Sequence, residues 1–490
     1  MPRIVVIGAG ISGLSIARRL SKYSNLEIIV VEKNPDVGWG ASKANTSIIH
    51  PCHEEEPDKH PLRARLCREG HDLWRKWLRE LSTPHSWRGE LMVATREEEI
   101  KTLYKYLRLA EANGIPGVRI VYGEEIWQLE PMVNRKALAA LWAPTAGIMN
   151  PMAATIALAE NAADNGVRFL FETRAEKIVV RDRRVVGVET SRGFIEADIV
   201  VNAAGVYADE LSRTAGIDYF RVSPRRGQYI LYSKDVDVRL KRIVHTAPTP
   251  KTKGVYAIST LKWNLMIGPT AEDLPMDRKE DTSTTRSGIK YILEQAERLL
   301  EKLPPSSKII RLFSGIRPEP STGDYIIEFY EEPWGLINVA GIRSPGLTAA
   351  PGIAMYVENL IKKHVELVEK KNWSPYRKPI RGVKDMDDKE LSEAIRRDPG
   401  YGRIICMCEK ISEAEIREAI RRMKKIGVKT ITFDGVKFRT KAMFGECQGQ
   451  FCRPIIARII SEETGIPMHM VSFKGGESKY GVGTVWGDEK

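Results

Sequence analysis

The feature that most constrains the fold is a glycine triad near the N-terminus: Gly8, Gly10 and Gly13. An apolar strand pattern precedes the triad and a helical pattern follows it. A second apolar strand ends at Glu32, 19 residues after Gly13. Glycines at this spacing let a pyrophosphate approach a helix N-terminus, and an acidic residue at this distance accepts hydrogen bonds from ribose hydroxyls. The sequence therefore predicts a Rossmann-like βαβ unit that binds a dinucleotide.

The same fingerprint serves FAD and NAD, so the rest of the chain must distinguish them. No second Gly-x-Gly-x-x-Gly follows a strand pattern, which argues against a separate NAD domain. The segment 341–347 has the pattern of a strand, a turn and a helix start. A helix N-terminus there would stabilise an anionic reduced flavin. The alternative is an ordinary strand–helix turn.

Four cysteines near the C-terminus form a metal-like pattern: Cys406, Cys408, Cys447 and Cys452. Four thiolates can ligate a [2Fe–2S] cluster. Zinc is the alternative, although one intervening residue between two cysteines is unusual for zinc. An organic redox cofactor together with an iron–sulfur cluster indicates an enzyme that takes electrons in pairs and passes them on singly.

The remaining cysteines, Cys52 and Cys67, stand apart from this pattern. Clustered cysteines in an intracellular chain favour metal binding over disulfides. We therefore do not predict a disulfide between these two cysteines. Cys67 lies in a helical pattern and is predicted to pack in the core, and Cys52 is predicted to lie in a loop near the active site.

The chain has 490 residues, which predicts two to four domains. No apolar stretch is long enough to span a bilayer, and no signal-peptide pattern precedes the first strand. We expect a cytoplasmic protein, with any membrane contact made through a partner. The net charge of +12 is compatible with anionic substrates, acidic lipid surfaces or acidic partners, but we interpret it as a solvated surface. No nucleic-acid-binding motif is present.

Four motifs occur in a characteristic order: the glycine triad, Asn-Ala-Ala-Gly at 202–205, Ser-Gly-Ile-Arg-Pro at 314–318 and Ser-Pro-Gly-Leu-Thr at 344–348. This order resembles the FAD-dependent D-amino-acid oxidase superfamily over roughly residues 1–365. The resemblance implies an α/β FAD domain interleaved with a β-rich, α+β substrate domain.

Residues 402–473 resemble the bacterioferritin-associated-ferredoxin-like [2Fe–2S] domain, which implies a small helical domain and identifies the metal. A capping box at Ser412–Glu415 and a helix start at Pro454, followed by Gly465, fit such a domain.

Together the resemblances divide the chain into segments: FAD-binding 1–82, 147–222 and 311–366; substrate-binding 83–146 and 223–310; a linker 367–401; the cluster domain 402–473; and a flexible tail 474–490.

The first resemblance also implies roles for single residues. His50 is implied to be a general base on a substrate hydroxyl, and Arg317 is implied to hold the substrate's anionic group. Arg343 is a weaker candidate for that anion and would provide the second cationic contact that a glutamate-like substrate needs. Lys253 and Arg226 are weaker candidates for the anion. The residues implied to bind FAD are Gly8, Gly10, Gly13, Glu32, Lys33, Ser42, Asn45, Thr46, Ala203, Gly205, Gly315, Arg317, Gly341, Pro345, Gly346, Leu347 and Thr348.

Residues 264–273 and 279–285 resemble the glycerol-3-phosphate dehydrogenase subgroup. The resemblance implies oxidation of sn-glycerol 3-phosphate to dihydroxyacetone phosphate by hydride transfer to FAD. One departure is Glu54-Glu55-Glu56, shortly after His50, because acidic residues near a phosphate pocket would repel the substrate.

Several alternatives remain open. L-2-hydroxyglutarate or a proline-type amino acid are alternative substrates, and a non-catalytic electron-transfer subunit is an alternative function. If the chain is an enzyme, we expect electrons to leave through the cluster to an electron-accepting protein or carrier. If that acceptor is a protein subunit, the two chains would form a hetero-oligomer.

Overall fold

The computed structural model describes residues 1–248 and 253–481. Its helices are α1 Ile11–Leu20, α2 Pro61–Glu80, α3 Glu97–Ala112, α4 Glu124–Leu129, α5 Pro151–Asp164, α6 Ala208–Thr214, α7 Arg286–Leu299, α8 Gly346–Lys362, α9 Asp388–Arg397, α10 Glu413–Lys425, α11 Phe433–Thr440 and α12 Arg453–Thr464.

The strands are β1 Arg3–Ile7, β2 Glu27–Val31, β3 Ile48–Ile49, β4 His85–Trp87, β5 Glu90–Ala94, β6 Arg119–Val121, β7 Ala139–Ala143, β8 Gly147–Met149, β9 Arg168–Leu170, β10 Ala175–Arg181, β11 Arg184–Thr190, β12 Gly193–Glu196, β13 Ile199–Asn202, β14 Val222–Tyr232, β15 Ile243–Thr246, β16 Tyr256–Ser259, β17 Leu265–Gly268, β18 Glu272–Asp273, β19 Ile309–Pro320, β20 Ile326–Glu331, β21 Trp334–Ala340, β22 Ile404–Cys406 and β23 Ile411–Ser412.

The first sheet has the order β10-β11-β21-β13-β1-β2-β9, with β12 and β20 attached to it. Strands β21, β13, β1, β2 and β9 run parallel. Alternate residues of β1 face opposite cores, because successive side chains of a strand point to opposite faces. Val6 packs in the core that contains α1, α5 and α8, and Val5 packs in the core that contains Leu211 of α6. The sheet is therefore covered on both faces, as the βαβ prediction requires.

The second sheet has the order β18-β14-β17-β16-β15-β5-β7-β6 and is mainly antiparallel. Its longest ladder pairs β14 with β19, from Val222–Pro320 to Tyr232–Ile309. Helix α7 packs on this sheet through Ile292 and Leu299. Strand β19 crosses the predicted segment boundary at 310/311.

The chain alternates between the two sheets. Strands β5, β6 and β7 of the second sheet lie between β2 and β9 of the first, and β14 to β19 lie between β13 and β20. This alternation confirms the predicted interleaving of a Rossmann-like domain with a β-rich domain.

The C-terminal region is a helical unit around β22 and β23. The predicted capping box is present: Ser412 N–H donates to Glu415 Oε2 (2.9 Å), and Ser412 Oγ accepts from Glu415 N–H (3.4 Å). Helix α12 contains Pro454 in its first turn and ends at Gly465, whose φ is +77°. The apolar side chains of this unit share one core with α1, α5 and β9.

Two parts of the C-terminal half differ from the sequence prediction. The predicted linker 367–401 contains α9, which begins at a capping box formed by Asp387 and Glu390. Part of the predicted flexible tail is packed, because Tyr480 lies 5.5 Å from the ring of Phe433 and 6.2 Å from that of Phe473. Residues 482–490 lie outside the described residues.

The prediction that Cys52 and Cys67 are separate is wrong. They form a disulfide, with a Cα–Cα distance of 5.8 Å, between the loop after His50 and helix α2. Sequence spacing did not reveal this pair, since the two cysteines meet only when the loop folds back on α2. Among the described residues, no helix combines the length and apolarity needed to cross a membrane.

Candidate active site

The loop between β1 and α1 depends on glycine. Gly8 has φ +104°, and a Cβ there would lie 2.5 Å from the carbonyl oxygen of Ala203. A Cβ on Gly13 would overlap the Gly8 carbonyl. The backbone of this loop therefore packs directly against the residues that follow β13. The glycine triad and the Asn-Ala-Ala-Gly motif at 202–205 thus lie in contact.

Two side chains hold this loop in position. Glu32 is buried, and its carboxylate accepts hydrogen bonds from the N–H groups of Ala9 (2.8 Å) and Asn34 (2.9 Å). Burial raises the pKa of Glu32, and these hydrogen bonds oppose that rise. Ser42 Oγ accepts from the Ile11 N–H at 2.9 Å, which fixes the segment after β2 against the N-terminus of α1.

One cavity, with a volume of about 2240 Å³, extends from the glycine loop to the second sheet. Pockets for drug-sized ligands usually measure roughly 300–1,000 Å³, so this cavity has room for a dinucleotide and a substrate. The predicted residues in its wall are Gly8, Gly10, Gly13, Glu32, Lys33, Ser42, Asn45, Thr46, His50, Ala203, Gly205, Gly315, Arg317, Arg343, Pro345, Gly346 and Leu347. Gly341 and Thr348 lie behind the wall.

Two close approaches shape the middle of the cavity. A Cβ on Gly315 would overlap the carbonyl oxygen of Ala44, so β19 passes directly against the segment that follows Ser42. Helix α8 begins at Gly346 in the wall, so its positive end adjoins the cavity. The glycine loop, Glu32 and the N-terminus of α8 would hold a flavin in this cavity.

His50 is buried beside this cavity. Its backbone N–H donates to Thr348 Oγ1 at 2.9 Å, and its ring lies 6.1 Å from that of Tyr256. Nδ1 has no hydrogen-bond partner among the described residues. Burial, assisted by the charge of Lys253, lowers the pKa of His50 to about 3. The imidazole is therefore neutral near pH 7.

The acidic residues after His50 are neutralised within the protein. Lys253 forms ion pairs with Glu55 and with Glu54 (3.0 Å), and Arg63 pairs with Glu55 at 2.5 Å. Burial alone would raise the pKa of Glu55, but Lys253 and Arg63 lower it. Glu56 pairs with two lysines at the surface. The repulsion expected from these three carboxylates is therefore offset.

The candidate arginines have different surroundings. Arg317 on β19 donates to the carbonyl oxygen of Thr270 at 3.3 and 3.2 Å and has no ion-pair partner among the described residues. Arg343 pairs with Glu319 at 3.1 Å. Arg226 is nearly buried in ion pairs with two carboxylates and lies outside the cavity wall. Arg317 is thus the guanidinium most available to an anion.

The sequence analysis missed several residues of this site. Tyr256 faces the cavity and donates to Glu54 Oε1 at 3.4 Å. Phe438, Lys441 and Phe444 of the C-terminal unit also line the cavity. No local pattern indicates these residues, because they reach the cavity only when distant parts of the chain pack together.

The four C-terminal cysteines lie in two pairs. Cys408 and Cys447 have an Sγ–Sγ distance of 3.6 Å, and the thiols of Cys406 and Cys452 interact with each other. In the described ranges, no group of three histidine, cysteine or acidic side chains is placed to hold one metal ion. Two thiol pairs suit a cluster with two iron atoms better than a single tetrahedral zinc.

This cysteine site lies between solvent and the cavity. Cys408 is exposed, and the neighbouring Met407 and Phe451 are 76% and 78% exposed. On the other side, Glu409 lines the cavity and forms an ion pair with Lys262 of the second sheet. A cluster here would adjoin both the cavity and the molecular surface.

Two family descriptions match the sequence. "FAD dependent oxidoreductase" matches residues 3–360, and "BFD-like [2Fe-2S] binding domain" matches residues 404–462. These matches identify FAD and a [2Fe–2S] cluster as the cofactors. They decide between FAD and NAD, and between the cluster and zinc.

Individual proteins are similar over most of the chain. Glycerol 3-phosphate dehydrogenase of Caloramator mitchellensis is 38% identical over 468 residues, which is 95% of each chain. Glycerol 3-phosphate oxidase of Mycoplasma genitalium is 28% identical, over 76% of this chain and 97% of the oxidase. The dithionite-reduced, FAD-bound L-alpha-glycerophosphate oxidase of Mycoplasma pneumoniae has a TM-score of 0.72 and 28% identity, over 77% of this chain and 99% of that chain.

Proposed function

Because the chain belongs to the FAD dependent oxidoreductase family, we propose that it oxidises sn-glycerol 3-phosphate to dihydroxyacetone phosphate. The electrons then pass through its [2Fe–2S] domain to a separate acceptor. The observation that carries this proposal is Arg317, a guanidinium without a carboxylate partner among the described residues, in the same cavity as the neutral His50. The 38% identity to a glycerol 3-phosphate dehydrogenase supports it.

Oxidation of a secondary alcohol removes a hydride from carbon and a proton from oxygen. Bound FAD supplies the two-electron acceptor for the hydride from C2 of the substrate. His50 accepts the hydroxyl proton, since its ring is uncharged near pH 7 and the residue lies in the cavity wall. The product is the corresponding ketone.

The surroundings of the cations favour a phosphate over a dicarboxylate. Arg317 can present two parallel N–H groups to the phosphate oxygens. A substrate such as L-2-hydroxyglutarate needs a second cationic contact, and Arg343 is already paired with Glu319. Lys253 is likewise paired with Glu54 and Glu55.

The position of the cysteines supports an exit path for electrons. Glu409, next to Cys408, reaches the cavity wall, while Cys408 itself is exposed. Electrons entering through the flavin would therefore reach the surface through the cluster, where an acceptor protein or carrier can approach.

The experiment is anaerobic visible absorbance of the purified holoprotein before and after addition of glycerol 3-phosphate. We expect bleaching of the flavin together with loss of cluster absorbance. Bleaching by L-2-hydroxyglutarate or L-proline instead would change the substrate. If no candidate bleaches a flavin that dithionite reduces, the chain alone is not the dehydrogenase.

A matched pair of variants tests the anion site. Arg317→Met should raise KM for glycerol 3-phosphate by at least about tenfold while FAD remains bound, because a charge-assisted contact is lost. Arg381→Met is the control, since Arg381 also lines the cavity but pairs with Glu390 at 2.5 Å. An equal effect of the two changes would argue against Arg317 as the anion-binding residue.

A further inference from the structure

The C-terminal unit contributes a basic wall to the cavity. Five cations line this region, and we call them the basic vestibule: Lys43, Arg311, Lys384, Lys441 and Lys474. They come from widely separated parts of the chain: the segment after β2, strand β19, the region before α9, the end of α11 and the segment after residue 473. Five separate segments thus bring positive charge to one cavity.

These cations have no ion-pair partner in the described parts of the chain. Lys441 donates a hydrogen bond only to the carbonyl oxygen of Phe438, at 2.9 Å. Other cations of the same wall are paired: Lys262 with Glu409, and Arg377 with Glu160 at 2.7 Å. The positive charge of the vestibule is therefore not cancelled as it is elsewhere on the wall.

Few carboxylates face the vestibule. Glu409 already forms an ion pair with Lys262. Asp434 is the carboxylate whose charge most strongly favours the protonated form of Lys43. Asp385 and Glu415 also reach the wall, and both accept backbone N–H groups around residue 382. In the described structure none of these carboxylates forms an ion pair with the five cations, although the charge of Asp434 favours protonated Lys43 and the charges of Glu409 and Asp385 favour protonated Lys384.

Burial makes this unbalanced charge unfavourable. Burial, followed by the charges of Lys262 and Lys384, lowers the pKa of Lys441 to about 7. Burial and Lys262 likewise lower the pKa of Lys384. Lysines brought together in this way gain stability when an anion binds between them, because an opposite charge favours their protonated forms.

Three of the vestibule cations come from a different part of the chain than the predicted cofactor phosphate site, whereas Lys43 directly follows Ser42 of that site. The pyrophosphate of a dinucleotide belongs at the N-terminus of α1, beside Gly10 and Ser42. Lys384, Lys441 and Lys474 come instead from the region that follows the FAD dependent oxidoreductase match.

We propose that the basic vestibule is a second anion-binding site, which holds a small phosphorylated molecule against the C-terminal domain before it reaches Arg317. A site of this kind raises the local concentration of an anionic substrate and speeds its capture at low ionic strength. The identity of the anion rests on the proposed function, whereas the site itself depends only on the cations.

The test measures binding of inorganic phosphate to the holoenzyme by calorimetry at low salt, in the Arg317→Met background. This background removes the inner anion site, and we expect phosphate binding to persist. Adding Lys384→Gln and Lys441→Gln should weaken binding about tenfold, equivalent to about 1.4 kcal/mol. The matched control adds Lys371→Gln and Lys429→Gln, two exposed lysines outside the cavity wall, and should leave the Kd unchanged.

Either of two results overturns the proposal: loss of phosphate binding in Arg317→Met alone, or the same Kd with and without the two vestibule substitutions. FAD and iron contents confirm that each variant is folded. If the double substitution loses a cofactor, Arg311→Gln, on strand β19, replaces it with the same expected direction. Failure of glycerol 3-phosphate to reduce the flavin would contradict the proposed function. It would not affect the measurement of phosphate binding at the basic vestibule.

Discussion

The proposed reaction gives His50 and Arg317 opposite tasks. His50 is buried, its Nδ1 has no hydrogen-bond partner among the described residues, and its ring is uncharged near pH 7. Arg317 has no ion-pair partner among the described residues and donates to the backbone carbonyl of Thr270. One group can take a proton and the other can hold an anion, although both line the same cavity.

The depressed pKa of His50 predicts that the rate of flavin reduction falls only at unusually low pH. The basic form of His50 is present above a pKa of about 3, so it persists when the pH falls through 6.5, the ordinary value for histidine. We expect the rate of flavin reduction at saturating glycerol 3-phosphate to show no loss attributable to His50 between pH 7 and 5. Anaerobic stopped-flow absorbance measures this rate. A midpoint near pH 6.5 that disappears in His50→Gln would contradict the expectation.

Replacement of His50 should slow the chemical step. General-base catalysis typically contributes about 10²–10⁴-fold, so His50→Gln should reduce flavin reduction by about that factor. Single-turnover absorbance measures the loss. His85→Gln is a matched control, because His85 lies outside the cavity wall and its ring donates a hydrogen bond to the Thr83 carbonyl oxygen. A similar loss in both variants would indicate a structural effect.

The sequence predicts those residues of the cavity wall that a local motif places there. It does not predict those that reach the cavity only through packing between distant segments. The glycine triad and Glu32 reach the cavity because a strand, a tight turn and a helix determine their positions. The roles of His50 and Arg317 were predicted from the family resemblance. Tyr256 and Lys441 meet the cavity through the packing of distant segments, which no spacing along the chain encodes.

Among the elements, the two cysteine-bearing loops meet at Gly445. A Cβ there would overlap Cβ of Cys408 and lie 3.2 Å from its sulfur. We therefore expect Gly445→Ala to displace Cys408 and lose most of the iron–sulfur cluster while FAD remains. Iron and acid-labile sulfide per FAD measure the outcome. Gly402→Ala is the control, because a Cβ there meets Ile395 at an ordinary 3.7 Å.

The Cys52–Cys67 disulfide ties the loop after His50 to α2, across 15 residues of sequence. Closing a loop of this length stabilises a folded protein by about 3 kcal/mol in the chain-entropy account. Replacing both cysteines by serine should lower the thermal midpoint and slow flavin reduction, because α2 supports α8 at the cavity. A reducing agent should lower the midpoint of the natural protein and leave that of the double serine variant unchanged.

Long elements with strong periodicity could be predicted from the sequence. The helix after the glycine triad, the capping box at Ser412–Glu415 and the helix start at Pro454 agree with the predictions, since capping residues and apolar stripes mark such helices. Helix α9 was missed because it is short and lies among prolines and charged residues. The disulfide was missed because the expected reducing compartment argued against it.

For the whole molecule, the contact between the C-terminal unit and the FAD domain includes a buried ion pair. Arg439 donates to both carboxylate oxygens of Asp36, at 2.5 and 2.9 Å, and both side chains are at most 1% exposed. Removing one partner of such a pair typically costs about 3–5 kcal/mol, because the other charge stays buried. Asp36→Asn should therefore lower the thermal midpoint by several degrees and slow electron transfer from flavin to cluster.

The double change Asp36→Leu with Arg439→Met separates charge from packing. It removes both buried charges, so it should recover most of the lost stability. Stopped-flow absorbance at the flavin and cluster bands follows the electron transfer. Equal destabilisation in the single and double variants would show that the pair acts through shape rather than charge.

The apolar core shared by the C-terminal unit and the first sheet limits how a gene of this kind can be shortened. Helices α10 to α12 cover side chains that also pack on α5 and β9, including Phe169 and Phe171. A stop codon placed before Ile404 would leave these side chains in water and favour aggregation. Deleting the C-terminal unit therefore requires new polar residues on the face that it leaves uncovered. Gain or loss of this unit thus requires changes in two parts of the sequence.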